Sequence, residues 1–386
     1  MGSWIAAGET SPLQLAQALE QHLDLQIVDV RPPAVVAAGR IDLGPPARFH
    51  NVAGSDLLRS RTPHQAGLDA SLPVVVVCNR GHDSEIVASH LTELGYAARS
   101  LRGGMVAWMM LVLPRAIAPP RSLDDFVQFD RPGNGALGYV LVSDGEALAV
   151  DPPRDASGYV REARRAGASL IGVVDSHLHA DYVSGAAMLA RTFRVPYYLH
   201  PRDAVSPYDG SLGRLEFHPI ADGDAIRVGR SIVRVTHTPG HTEGSVSLLI
   251  EDAYVLTGDF IFLSSMGRPD LANRTARWTA DLWRSLQTAK RSWPGDLIVC
   301  PAHYSPADSR RDDRVIAAPF ARLLRENEAM QFSDEAGFAT WVAARSGSFP
   351  DAYRAIKTIN LGLATAEPRA VEELENGRNQ CALSPQ

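Results

Sequence analysis

Short runs of β-branched residues recur along this chain, and several of them stop at a turn rich in reactive side chains. Pro73-Val74-Val75-Val76-Val77 is uninterrupted and apolar, the pattern of a strand buried on both faces of a parallel sheet. It leads straight into Cys78-Asn79-Arg80-Gly81-His82-Asp83-Ser84, after which a helical pattern continues to Leu94. Leu25-Gln26-Ile27-Val28 predicts another short strand, ending in Asp29-Val30-Arg31. Further along, Val173-Val174 runs into Asp175-Ser176-His177-Leu178-His179-Ala180-Asp181-Tyr182. Thr238-Pro239-Gly240-His241, Thr257-Gly258-Asp259 and Pro301-Ala302-His303 each follow an apolar run in the same way. Sites of this kind are built where rigid strands aim side chains from the loops at their ends. Two imidazoles at i and i+2 followed by a carboxylate leave little room for a packing explanation, and they are metal-ligand types.

The remaining pattern divides the chain. Residues 114–124 are Pro-rich, which predicts a semi-rigid spacer between a first region (1–115, with the spacer proper at 116–124) and a second (125–362). From Phe126 short strands alternate with Gly turns, at 137–142 and 147–150. Helices are predicted at about 158–166, from about Ser184, at about 280–290 and at about 315–328. Strands are predicted near 226–235, 245–249, 253–256 and 297–300. Residues 363–386 read as a surface helix and a frayed tail. Repeats are absent.

Composition narrows the partners. The 386 residues carry a net charge of −6 without any Lys/Arg block, so nucleic acid is not expected. Three cysteines are too few and too scattered for a disulfide framework, and a reducing, cytoplasmic compartment fits them. The start lacks the basic and apolar segments of a signal peptide. The apolar run 105–113 is about half a bilayer span, so no membrane anchor is expected.

Taken in order, the His-x-His-x-Asp of 177–181, the Pro-Gly-His ending at 241, the Gly-Asp ending at 259 and the Ala-His ending at 303 resemble the metallo-β-lactamase superfamily. Ala149-Val150-Asp151-Pro152 and Ala221-Asp222-Gly223-Asp224 agree with it. The resemblance covers about residues 125–310 and implies an αββα sandwich. Within the superfamily, Met266-Gly267-Arg268-Pro269-Asp270-Leu271 looks like the Gly-Arg-x-Asp signature of the persulfide dioxygenases (sulfur dioxygenases). Ile359-Asn360-Leu361-Gly362 resembles the close of bacterial members. The resemblance implies one Fe(II) per chain, held by His177, His241 and Asp259, with no nucleotide or haem. Two imidazoles and a carboxylate on one face of a metal form the facial triad of non-haem Fe(II) oxygenases, which leaves positions for water, O2 and a substrate sulfur. His179, Asp181 and His303 would then orient the ligands and bound water, or serve as extra ligands. The superfamily usually has His after that Asp, and persulfide dioxygenases usually keep it. Here Tyr182 stands there, which cannot replace a neutral imidazole as a zinc ligand and argues for one metal. Arg268 and Tyr182 are the candidate substrate-binding groups, the guanidinium being suited to a carboxylate.

The first region resembles the rhodanese domain through its Asp-Val-Arg strand, its Cys-x-x-Gly-x-x-Ser loop and its Gly-Gly-x-x-Ala-Trp close. A thiol between a strand end and a helix N-terminus is favoured as an anion. Cys78 is thus the candidate nucleophile for sulfane sulfur, with Arg80, Gly81, His82 and Ser84 supporting its loop. Asp83 stands where many rhodaneses have Arg and opposes the thiolate, an effect that Arg80 and His82 offset. The family usually carries this domain after the metal domain, whereas here it comes first.

Joined, the two resemblances imply an α/β rhodanese domain followed by an αββα domain. The implied reaction is oxidation of glutathione persulfide, or a similar low-molecular-weight persulfide, by O2 to sulfite and thiol. It would be coupled to sulfur transfer through Cys78 involving thiosulfate or sulfite, in a chain whose relatives often form homodimers. Two other readings stay open: a dinuclear zinc thioesterase of the glyoxalase II type, which Tyr182 opposes, and a persulfide carrier or sensor without oxygenase activity. His200, His218 and His237 are expected to be structural, Cys300 a small buried hydrophobe, and Cys381 a tail residue without a chemical role.

Overall fold

The computed structural model describes residues 8–41, 44, 46–272, 274–305 and 311–383. The chain divides into two compact units, the first running to Leu111 with 131–134 and 376–378, the second comprising 112–130, 135–375 and 379–386.

The first unit holds a five-stranded sheet in the order Gly8–Thr10, Ala98–Leu101, Val74–Val77, Gln26–Asp29, Arg48–Asn51. Every pairing is parallel. Val74–Val77 is the central strand, which explains its unbroken apolarity: all four valines are fully buried. The helix His82–Glu93 covers it with Val87, Ala88 and Leu91. The Asp-Val-Arg close is a clamp, since the Arg31 guanidinium donates to buried Asp29 at 2.7 Å and to the Gly39 carbonyl at 2.7 Å.

The second unit is a sandwich of two sheets with helices outside. One sheet has seven strands, in the order His218–Pro219, Tyr197–Leu199, Ser169–Val174, Glu146–Val150, Ala136–Ser143, Asp125–Arg131, Leu113–Ala116. The other has six, in the order Ala225–Val228, Ser231–His237, Val246–Ile250, Tyr254–Gly258, Ile298–Pro301, Ala318–Pro319. Leu137, Leu141, Leu148 and Val174 from the first sheet meet Val233, Val246, Leu248 and Leu256 from the second in one core. Ser157–Arg165 and Ala186–Phe193 cover the outer face of the first sheet, and Thr275–Ser292 with Glu335–Ala343 that of the second. The expected αββα arrangement is therefore present. Among the described residues no helix is long and apolar enough to cross a membrane.

Three expectations change. The Pro-rich spacer begins inside the sheet: Leu113–Ala116 pairs antiparallel with Val127–Asp130 as an edge strand, a position where Pro114 costs no ladder bond. The strand expected near 226–235 is a hairpin of Ala225–Val228 and Ser231–His237, turning at Gly229 with φ +55°. The tail carries its helix, Pro368–Leu374, and stays packed as far as Leu383, since Cys381 and Leu383 are buried; residues 384–386 of the expected tail lie outside the described residues.

Candidate metal centre and sulfur loop

The strand Ser169–Val174 ends three residues before His177, and Ser231–His237 and Tyr254–Gly258 end just before His241 and Asp259. The turns require glycine. Gly240 has φ +147°, and a Cβ there would lie 2.5 Å from Leu282 Cα. A Cβ on Gly267 would lie 1.8 Å from the Asp259 carbonyl oxygen, so the glycine before Arg268 lets that loop close over the Asp259 backbone.

These turns bring three donor atoms together. His177 Nε2 is 3.6 Å and His241 Nε2 3.3 Å from Asp259 Oδ2. All three atoms are buried without a hydrogen-bond partner among the described residues. Their other ring nitrogens are engaged: His241 Nδ1 meets the Arg268 carbonyl at 3.0 Å and His177 Nδ1 meets Ser176 Oγ at 3.0 Å. Nε2 of His241 is therefore left with its lone pair facing the cluster. Burial lowers the pKa of His241 to about 4 despite Asp259. It also holds His177 well below its usual value, with His179 adding to the effect. Both rings are thus neutral. Burial opposes ionisation of Asp259, yet His303, His177 and His241 hold its carboxyl below the usual range. Neutral imidazoles, one carboxylate and three orphaned atoms at this spacing fit a divalent ion, whose ligands bind at about 2.0–2.2 Å.

The structure keeps His179 out of this cluster. Its Nε2 meets Asp151 Oδ1 at 3.1 Å and the Tyr182 hydroxyl at 3.0 Å. Burial lowers its pKa, but Asp151 and Asp175 outweigh that and raise it well above the ordinary value. Asp151, quoted above only as a family mark, organises this corner: it also accepts from Ser176 N at 2.7 Å and Ser176 Oγ at 2.8 Å, from a backbone at φ +50°. Tyr182 is 2% exposed and packs against the His179 ring.

His303 joins two carboxylates, through Nδ1 to Asp259 Oδ1 at 2.6 Å and through Nε2 to Asp181 Oδ2 at 2.9 Å. Burial works against its charge, but Asp259 and Asp181 push its pKa up to about 10.

Arg268 is engaged within the protein. It is 5% exposed, its guanidinium grips Asp270 at 2.6 and 2.7 Å, and it donates to the Gly347 carbonyl at 2.7 Å. Its fork ties the loop after Asp259 to the chain near 347 and is not available to a carboxylate ligand. Lys357, which the sequence reading passed over, is available. Its Nζ is buried without a hydrogen-bond partner among the described residues and lies 6.0 Å from the Trp278 ring centre. It lines a cleft with Leu178, Thr242, Arg202, Arg274 and Trp278. Leu178 and Thr242 are chain neighbours of His177 and His241, so the cleft runs beside the triad. Asp203, also missed, fixes that wall by accepting from Leu178 N, Thr242 Oγ1 and Gly244 N, each at 2.7 Å. Neither residue sits in a recognisable motif; both are brought in by distant elements.

In the first unit, Cys78 lies at the end of the central strand, 3% exposed. Its sulfur accepts from Gly81 N at 3.0 Å and Ser84 Oγ at 3.3 Å. Gly81 has φ +98° and caps the helix His82–Glu93. Gly104 allows the close approach behind the loop, since a Cβ there would lie 2.4 Å from the Cys78 carbonyl oxygen. His82 and Asp83 are exposed in the first helical turn, where a carboxylate is favoured by the helix dipole. Arg80 lies in the same turn of the loop.

His200 and His237 stack at 4.3 Å, with burial lowering His200 to about 4, and His218 packs against Tyr198. Cys300 is fully buried and burial raises its thiol pKa.

The chain matches the profile of the metallo-beta-lactamase superfamily over residues 132–318 and that of the rhodanese-like domain over 11–111. It is similar to the human protein named persulfide dioxygenase ETHE1, mitochondrial, with 32% identity over 41% of this chain and 59% of that protein. It is also similar to a hydroxyacylglutathione hydrolase of Acidiphilium cryptum (strain JF-5), at 33% identity over 44% of this chain and 65% of that one. The chain thus spans about three fifths of the length of each. A crystal structure of a metallo-beta-lactamase from Staphylococcus aureus subsp. aureus COL superposes with a TM-score of 0.56 and 26% identity, covering 63% of this chain and 74% of that one.

Proposed function

The chain belongs to the metallo-beta-lactamase superfamily, with a rhodanese-like domain ahead of the metal domain, and from that premise we propose that it is a persulfide dioxygenase with an attached sulfurtransferase. The reaction proposed is glutathione persulfide, or a similar low-molecular-weight persulfide, with O2 and water giving thiol and sulfite. One observation carries this reading. His177, His241 and Asp259 form a three-ligand set from which His179 is withheld by Asp151, leaving a metal with several open positions, as in Fe(II) oxygenases. Bound iron(II) would supply those positions and mediate electron flow from the persulfide sulfur, which is oxidised, to O2, which is reduced. The chain's own residues do the rest. His303 and the Arg268 carbonyl hold the ligands in orientation. The cleft beside the triad positions the persulfide, and Lys357 offers the unpaired cation that an anionic group would meet there.

For the first unit the proposed role is sulfur transfer through a Cys78 persulfide, with thiosulfate or sulfite as sulfur partners. The Gly81 N–H and Ser84 hydroxyl are the donors that would stabilise its anion. A second reading, hydrolysis of a glutathione thioester, draws support from the Acidiphilium relative. Anaerobically iron-loaded protein given glutathione persulfide separates the two: O2 uptake with sulfite formed supports the oxygenase, and hydrolysis of lactoylglutathione without O2 uptake supports the hydrolase.

A further inference from the structure

The second unit carries a cavity of about 860 Å³ that none of the proposed metal ligands lines. It shares no residue with the cleft beside the triad. Its volume falls within the range of small-molecule sites, about 300–1,000 Å³. The helix Ala186–Phe193 and the turn after it contribute one part of the lining, with Arg191 and Arg194. The segment leading into the edge strand His218–Pro219 contributes another, with Arg214 and Phe217. Asn360 completes it and is firmly held. Its amide donates to the His179 and Tyr182 carbonyls at 3.0 and 2.9 Å, and its oxygen accepts from Ser184 N at 2.9 Å.

The charge of this lining is one-sided. Arg191, Arg194 and Arg214 are exposed, and no guanidinium of the three has an ion pair or hydrogen bond among the described residues. Exposed arginines elsewhere on the unit do pair: Arg165 with Asp125 and Glu162, Arg230 with Asp124 and Asp144, Arg322 with Glu326. Glu216 is the single carboxylate among the described lining residues, and it meets none of the three. A helix C-terminus favours cations, which accounts for Arg191 and Arg194 but not for Arg214. Beside these charges lie Val195, Leu215 and Phe217, each partly exposed and resting on the core behind. The cavity thus joins unpaired guanidinium groups to an apolar strip.

We propose that this cavity binds a small molecule carrying a diphosphate group beside an apolar or aromatic body, the chemistry shared by adenosine diphosphate and coenzyme A. A guanidinium is a planar fork that meets phosphate oxygens in pairs. Three of them are more than one carboxylate needs, and they suit the several charged oxygens of a diphosphate. Val195, Leu215 and Phe217 offer the surface on which the body of such a ligand rests. Binding makes and breaks no covalent bond. The inference goes beyond the proposed function and holds for whichever reaction the triad performs.

The test is calorimetric titration of the full chain with ADP, coenzyme A and inorganic pyrophosphate. The expected result is one equivalent of ADP bound, more tightly than pyrophosphate, because the apolar strip adds to the charge contact. Arg214→Gln and Arg191→Gln should each weaken ADP binding about tenfold, the loss of one charge-assisted contact. The two sit on separate segments, so one variant still decides if the other fails to fold. Arg202→Gln, in the cleft beside the triad, should leave ADP binding unchanged. Coenzyme A binding about tenfold more tightly than ADP would assign the site to the thiol carrier, and equal affinities would assign it to the free nucleotide. Absence of binding by both at millimolar concentration would overturn the inference, as would binding that both arginine variants retain in full. Pyrophosphate binding as tightly as ADP would overturn the role of the apolar strip. Sulfite production by iron-loaded protein is read separately, so the proposed function can fail while this site stands, and the reverse.

Discussion

The two reactive centres of this chain are built by opposite means. The Cys78 loop is local: thiol, N–H donor, hydroxyl and helix N-terminus all fall within residues 78–84, backed by Ser100 and by the turn at Gly104 and Met105. The metal centre is assembled from the ends of separate strands, and residues as remote as Asp151, Asp203, Tyr353, Lys357 and Cys381 complete its surroundings. A local centre is set by one turn and one helix. A distributed one depends on long-range packing, and its outer partners are shared between ligands.

The comparison breaks most visibly if the two centres are not independent. His177→Ala should lose bound iron and O2 uptake while sulfur transfer from thiosulfate continues, and Cys78→Ser should do the reverse. Loss of both rates in either variant would refute the division. Next in size, Asp151→Asn should cost roughly 10–100-fold in iron affinity, the usual effect of losing a partner behind the ligands, measured by competition with a chelator. An unchanged affinity would remove Asp151 from the account.

Lys357→Met should raise KM for the persulfide about tenfold, the loss of one charge-assisted contact of about 1.5 kcal/mol or more. Arg268→Lys should instead lower Tm, because it breaks the two-pronged grip on Asp270. If Arg268→Lys raised KM and left Tm unchanged, the role first expected of that residue would return.

The smallest effect concerns metal-free protein. His303 has its pKa raised to about 10 in the fold, against about 6.5 when unfolded. Its contribution to stability is therefore complete below about pH 6.5 and lost as pH rises toward 10. Tm of the metal-free chain should fall across that window, and His303→Gln should flatten the fall. A Tm that rises over the same window would contradict the charge assignment.

The same contrast governs what was legible in the sequence. The central valine strand, the Cys78 loop and the strand-end motifs of His177, His241 and Asp259 could be read because each is a contiguous run whose period and turn residues reflect local geometry. The Arg268–Asp270 pair was not legible, because a surface-like sequence, Gly-Arg-Pro-Asp, hides a buried pair two residues apart. The stacking of Tyr182 on His179 was not legible, because the geometry of the turn, not a residue pattern, brings the two rings together. Lys357 and Cys381 gave no signal at all: one sits in an ordinary amphipathic helix, Ala352–Asn360, the other in a tail whose pairing with residues 266–268 no periodicity encodes.

The central claim is that the triad oxidises a persulfide with O2. The most direct measurement is O2 uptake by anaerobically iron-loaded protein on addition of glutathione persulfide, with sulfite quantified in the same sample. Rapid uptake with sulfite formed in proportion to the O2 consumed is the predicted result. Iron-loaded protein that consumes no O2 and yields no sulfite, yet hydrolyses lactoylglutathione, would contradict it.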